Sequence, residues 1–272
     1  MIAQAVLEKR VALLEASWTA GSLPSMTTVE MAAAVGITLD PWQREVLSST
    51  AREIIMLASR QSGKSTVAAL MALHQAVYTP GSLVLIDSPG ERQSKLLLKA
   101  FKRFYRMLPD TPAMLIENQL SVELANGAEV HALPGSEETI RGFSGVDLLI
   151  EDESALVDDD LYMATRPMLA VSGGRIVLLS TPRGKRGHFY QEYTSGGDSW
   201  HRATVTAHDC PRIDPAWLVE ERAKIGDYWF SQEYLCQFRD TDDQLYGSDL
   251  VESAISADVQ PLTLPTMQWS AA

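Results

Sequence analysis

A buried strand that runs into a Gly-Lys-Ser turn and then into a helix leaves a chain few folds to choose from. Ile54-Ile55-Met56-Leu57 is a continuous apolar run of the kind found in strands covered on both faces. Residues 58–66 read Ala-Ser-Arg-Gln-Ser-Gly-Lys-Ser-Thr, and the stretch from Lys64 to about Tyr78 reads as a helix ended by Pro80-Gly81. Between strand and helix, this turn is expected to be a phosphate loop. Its backbone N–H groups and the helix N-terminus would face an anion. Lys64 would reach the β- and γ-phosphates of ATP, and the Ser65 hydroxyl would ligate Mg2+. Arg60, Gln61, Ser62, Gly63 and Thr66 complete the expected nucleotide-binding set. Ala58 stands where the usual pattern has its first glycine.

Further apolar runs follow at Leu83-Val84-Leu85-Ile86, Leu148-Leu149-Ile150 and Ile176-Val177-Leu178-Leu179. Helical patterns separate them, from about Glu91 to Leu108 and around Leu161 to Leu169. Apolar strands alternating with helices predict a mostly parallel sheet flanked by helices. Ser121–Leu124 and Glu129–Leu133 alternate about Asn126-Gly127 and predict an antiparallel hairpin at one side. Thr27 with Glu30 reads as a capping box, and Asp40-Pro41 as an N-cap followed by proline in the first turn. Aromatic-rich patterns at Trp217 to Ile225 and Tyr228 to Phe238 predict a small helical lid. The expected division is an N-terminal helical extension over 1–36, a core over 37–197, a lid over 198–250 and a linker or tail over 251–272.

The second chemical element is Glu151-Asp152-Glu153, at the exit of a buried strand. Asp152 fits as organiser of Mg2+ and Glu153 as activator of the attacking water. Ser180 and Thr181, at the end of another apolar run, would face the γ-phosphate; a strand-end cap of the next turn is the alternative. Arg60 inside the loop and Arg141 in a glycine-flanked loop fit the guanidinium that stabilises a transferring phosphoryl group, with a surface ion pair as the alternative. Trp42 and Gln43 could serve an adenine by stacking and hydrogen bonding, but Gln43 also stands where a helix cap is expected after Asp40.

Net charge is −12, which argues mildly against a dedicated nucleic-acid binder. Basic clusters nonetheless occur at Lys99-Lys102-Arg103-Arg106 and Arg183-Lys185-Arg186. No apolar run approaches the ~20 residues of a membrane span. Met1 to Leu14 reads as an amphipathic helix, and two cysteines, Cys210 and Cys236, suit a reducing compartment.

Together these residues resemble the ATPase domain of the large terminase subunit of tailed bacteriophages, over roughly Leu39 to Ile255. The resemblance rests on Pro41-Trp42-Gln43, the Ser59–Ser65 loop, Ile140-Arg141-Gly142 ahead of Leu148–Glu153, Leu179-Ser180-Thr181-Pro182-Arg183-Gly184, and Gln232–Phe238. It implies a P-loop NTPase of the ASCE, RecA-like type that hydrolyses ATP with Mg2+ and drives double-stranded DNA into a prohead. Gln43 would contact adenine, Ser180 and Thr181 would couple hydrolysis to movement, and Arg141 would be a finger inserted by a neighbouring subunit. Implied partners are double-stranded DNA, a portal protein and a small terminase subunit in the host cytoplasm. No membrane is implied. The chain would act in a homo-oligomeric ring, with a monomer expected for an isolated domain. The family continues into a metal-dependent nuclease domain; this chain ends at Ala272, so nuclease activity is not expected of it. The competing readings are a superfamily-2-like helicase or repair ATPase, and a nucleotide-regulated assembly protein.

Overall fold

The computed structural model describes residues 25–133, 142–240 and 248–255. The expected helix over Met1–Leu14, Arg141 and the tail from Pro261 lie outside the described residues. The chain forms two units, Met1–Arg239 and Asp240–Ala272. In the second, Ser248–Ala254 is helical.

The first unit is built on one eight-stranded sheet in the order β3-β4-β5-β2-β6-β7-β1-β8. The strands are β1 (Glu53–Ala58), β2 (Leu83–Asp87), β3 (Met114–Glu117), β4 (Ser121–Leu124), β5 (Glu129–Ala132), β6 (Leu148–Asp152), β7 (Arg175–Ser180) and β8 (Trp200–Val205). From β5 to β8 every neighbouring pair is parallel, while β3, β4 and β5 pair antiparallel as the Asn126-Gly127 turn predicted. Strands β1, β2, β6 and β7 are buried nearly throughout, consistent with helices on both faces.

On one face lie α1 (Thr28–Ala34), α2 (Pro41–Ser48), α3 (Lys64–Tyr78) and α4 (Glu91–Met107), whose apolar sides join Ile54, Met56, Leu148, Ile150, Val177 and Leu179 in the larger core. On the other, α5 (Asp159–Thr165) and α6 (Gly187–Ser195) bring Leu161, Tyr162 and Phe189 onto Ile55, Leu57, Leu149 and Leu178. Thr27 and Glu30 close their capping box at α1. Helix α7 (Pro215–Glu233) is broken at Gly226, where φ is 79°, which gives the two aromatic helices expected there. Its second half stops at Glu233 rather than running to Phe238.

The segment after Gly197, expected to be a lid of short helices, instead begins with β8, which extends the main sheet beside β1. Being at the edge, β8 is only partly buried between Trp200 and Val205, so His201, Arg202 and Thr204 hide its strand character. Cys210 and Cys236 are buried free thiols. No helix among the described residues is long and apolar enough to cross a membrane.

Candidate active site

The order of strands sets the site. β7 lies between β1, which leads into the phosphate loop, and β6, which ends in the acids. This is the additional-strand arrangement, and the carboxyl ends of all three strands open on one crevice, where ligands of parallel sheets sit.

After Ala58 the chain leaves the sheet. The Ser59 N–H donates to the Val205 carbonyl at 2.8 Å, and the Ser62 hydroxyl donates to the Ser59 carbonyl at 2.8 Å, tightening the loop. Gln61 has φ 58°, and Gly63 has φ 99° as the residue that opens α3. Glycine is favoured at 63 by its left-handed backbone, and a Cβ there would stand 2.6 Å from Gln43 Nε2 and displace that amide. Ser59, Ser62 and Lys64 are buried, while Ser65 and Thr66 are half-buried at the mouth.

Across the crevice, Asp152 ends β6 and Glu153 takes a left-handed conformation, φ 53° and ψ 42°. Lys64 Nζ lies 3.2 Å from Glu153 Oε1, so the phosphate loop and the acidic strand end share one site. Burial and then the neighbouring Glu153 charge push the Asp152 carboxyl up to about 6, against which Lys64 and the Glu153 N–H pull it down. A nearly buried carboxylate that accepts from the Glu153 N–H and feels the Lys64 charge is a group that a cation would further satisfy, and it fits Mg2+.

Gln43 makes the helix cap that its position allowed. Its side-chain carbonyl accepts from the Asp40 N–H at 2.9 Å, and its amide nitrogen lies over Gly63. Trp42 packs against the main core and against Ala58, Val205 and Cys210, with its indole N–H buried and unpartnered, so it wedges α2 onto β1 and β8. Arg60 is ion-paired to Glu233 at the end of α7, and its N–H donates to the Glu233 carbonyl at 3.2 Å. Ser180 registers with Leu57, and strand alternation turns it to the face of Leu178 and Glu151, away from Asp152. Its hydroxyl is buried without a hydrogen-bond partner there, and Thr181 follows at the strand end. Arg141 lies outside the described residues.

Some contributors carried no local signal. Arg212 bridges Asp40 at 2.7 Å and the Ser62 carbonyl at 2.8 Å, tying the start of α2 to the phosphate loop. Glu151 turns to the opposite face and meets His188 Nε2 at 2.6 Å. Burial works against the imidazolium, but the bonds and charges of Glu151 and Asp159 outweigh it and raise the His188 pKa. Asp87, registered beside Glu151, is fully buried with neither oxygen in a well-formed hydrogen bond. An acid closing the apolar run Leu83–Ile86 was the one available hint, the same signal that marked Asp152.

A sequence model of the family described as "Terminase large subunit, T4likevirus-type, N-terminal" matches residues 55–252. Terminase large subunits of Thermus phage G20c and of Escherichia phage T5 are 25% and 24% identical to this chain. Each alignment takes in 72% of this chain, with 48% of the G20c protein and 46% of the T5 protein. The chain thus spans about half the length of these curated relatives. Among solved structures, the large terminase ATPase domain of Thermus phage P74-26 superposes with a TM-score of 0.67 at 22% identity, over 77% of this chain and 97% of that one. The large terminase of a thermophilic bacteriophage in complex with ATP-gamma-S has a TM-score of 0.63 at 13% identity, over 74% of this chain and 53% of that one.

Proposed function

The chain belongs to the large-subunit terminase family, in its T4-like-virus-type N-terminal part, and from that premise we propose that it is an ATP-hydrolysing motor domain that moves double-stranded DNA into a prohead. The observation that carries the reading is the 3.2 Å approach of Lys64 to Glu153, which joins a phosphate loop and an acidic strand end into one site. That a solved large terminase of like fold, from a thermophilic bacteriophage, is in complex with ATP-gamma-S in one structure and ADP in another supports it.

In this reading the loop N–H groups and Lys64 hold the triphosphate, and the helix dipole of α3 favours its charge. The Gln43 amide nitrogen, free of the cap that its carbonyl makes, reads the base. Ser65 and Asp152 would hold Mg2+, whose charge offsets that gathering on the phosphate oxygens. Glu153 accepts a proton from the attacking water. Arg60 supplies a cation within the loop, and Arg141 is assigned as a finger given by the neighbouring subunit of a homo-oligomeric ring. Thr181, following β7, couples the phosphate end to movement. A portal protein and a small terminase subunit are the proposed partners, in the host cytoplasm.

DNA contact is assigned to α4. Arg92, Leu96, Lys99 and Arg103 recur at helical spacing on its exposed side. No ion pair holds Arg92, Lys99 or Arg103 among the described residues, whereas Arg106 and Lys102 are tied to Glu117. An unpaired basic stripe on a chain of net charge −12 is suited to a phosphate backbone held weakly enough to be released.

Steady-state ATP hydrolysis tests the reading. Glu153→Gln is expected to lower turnover by about 10²-fold or more, the usual scale for loss of a general base. Turnover equal to wild type would remove Glu153 from the chemistry and the motor assignment with it.

A further inference from the structure

Glu151 is the one acid of the Glu151-Asp152-Glu153 run that the proposed chemistry leaves unused, and it is wholly buried. Because side chains alternate along β6, it points to the face of the sheet opposite Asp152. There Glu151 Oε1 accepts from His188 Nε2 at 2.6 Å, and the Ser154 hydroxyl donates to the same oxygen. Ser154 Oγ is also 3.0 Å from His188 Nε2. The imidazole is itself held on its other edge. His188 Nδ1 lies 3.1 Å from Asp159 Oδ1, which also accepts from the His188 backbone N–H at 2.7 Å. The Tyr162 ring stacks on it at 4.2 Å, nearly parallel at 10°.

The consequence lies in what this knot encloses. Glu151 and Ser154 flank Asp152 and Glu153, and both are held to one imidazole. Glu153, between them, keeps a left-handed backbone that a non-glycine residue holds only where its surroundings over-determine it. That conformation sends its carboxylate toward Lys64, as the 3.2 Å approach shows. His188 belongs to the second residue of α6, and the chain reaches it directly from β7 and the Ser180-Thr181 loop.

We propose that His188 is a positioning residue: by holding Glu151 and Ser154 on the rear face of the sheet, it fixes the turn that aims Glu153 at the triphosphate, and it ties that turn to the segment following Ser180 and Thr181. The inference rests on the reading of Glu153 as the base. A histidine that merely filled the core would need no bonds to both flanks of the acidic pair.

Two isosteric halves of the ring separate the alternatives. In His188→Gln the amide nitrogen can reach Glu151 as Nε2 does; in His188→Asn it reaches only the Asp159 side. On the whole chain, His188→Asn is expected to lower kcat by about 10- to 100-fold, as misplacement of a reacting group by an ångström does. ATP-gamma-S affinity and KM should stay within about twofold, and His188→Gln should recover kcat to within about threefold of wild type. In a Glu153→Gln background, His188→Asn should add almost nothing, because the two act on one step. Unchanged kcat in a folded His188→Asn protein overturns the proposal. So does a loss of kcat that parallels lost nucleotide affinity, or one that adds in full to Glu153→Gln. If His188→Asn does not fold, Ser154→Ala is read instead: about a 3- to 10-fold fall in kcat is expected for loss of one of the bonds, and no fall overturns the proposal. A wild-type chain with no ATP turnover would defeat the ATPase reading itself, a different result from active wild type beside an equally active His188→Asn.

Discussion

Lys64 Nζ and Glu153 Oε1 stand 3.2 Å apart although Lys64 opens the helix that follows β1 and Glu153 follows β6, two strands that β7 separates in the sheet. Both side chains are largely shielded, so the pair is stronger than a surface bridge and costs more to break. Under the proposed reading, a γ-phosphate competes with Glu153 for the lysine.

One consequence concerns affinity. Glu153→Gln keeps the shape of the side chain but releases Lys64, so ATP-gamma-S should bind about 2- to 10-fold tighter than to wild type, a gain of roughly 0.4–1.4 kcal/mol. Fluorescence titration of a labelled nucleotide measures it. Weaker binding would mean that Glu153 supports the nucleotide rather than opposing it.

Arg212 offers a second test. Its guanidinium holds the Asp40 carboxylate and the Ser62 carbonyl together, and Asp40 is otherwise buried. Arg212→Ala should loosen α2, and with it Gln43, from the phosphate loop. Because the side chain is half exposed, the expected loss is modest, about 1–2 kcal/mol or a roughly 5- to 30-fold weaker nucleotide affinity. An adenine-specific effect, larger for ATP than for inorganic triphosphate in competition, would place the loss at Gln43. Equal effects on both would place it at the loop.

Asp87 carries a pH dependence of unusual sign. Burial first, and then the Glu151 charge, raise its carboxyl from 3.8 to about 7, while the nearby Ser88 N–H and His188 pull the other way. The folded value lies above the unfolded one, so between roughly pH 4 and 7 the folded chain keeps a proton that the unfolded chain releases. Its contribution to stability is complete below that window and is lost as pH rises through it, by an amount of the order of a few kcal/mol. Asp87→Asn cannot ionise. It should melt with wild type at pH 4 and above it at pH 8, with the gap widening in between. Thermal melts across that range check this, and a gap independent of pH would show that Asp87 is not the titrating group.

The α4 stripe makes a separate claim. Reversing Lys99 and Arg103 to glutamate should weaken double-stranded DNA binding equally for all sequences and reduce the slope of log affinity against log salt by about 2, one for each lost phosphate contact. ATP turnover without DNA should be unchanged, since neither residue is near the crevice. Filter binding at several salt concentrations measures both quantities. An unaltered salt slope would move the DNA path elsewhere on the surface.

Much of the fold could be read locally. The strands β1, β2, β6 and β7 declare themselves because a strand covered on both faces must be apolar along its length. The hairpin at Asn126-Gly127 and the caps at Thr27 and Asp40 follow from short-range chemistry for the same reason: each partner lies within a few residues. The edge strand β8 escaped, since half its surface is polar. Which layer Ser180 faces was not legible, because that depends on how β7 is set in the sheet.

The sequence by itself determined that a phosphate loop would stand between β1 and α3, since an apolar strand run, a Gly-Lys-Ser turn and a helical run follow one another directly. It determined equally that acids would end β6. Only the tertiary structure decided that these two ends meet, that Glu151 turns away to His188, and that Arg212 and Glu233 reach back to the loop. Apolar strands are interchangeable as sequence, and their order in the sheet comes from the packing of the whole chain. An ion pair between distant segments leaves no trace in the residues around either partner, because its energy exists only once the fold has brought them together.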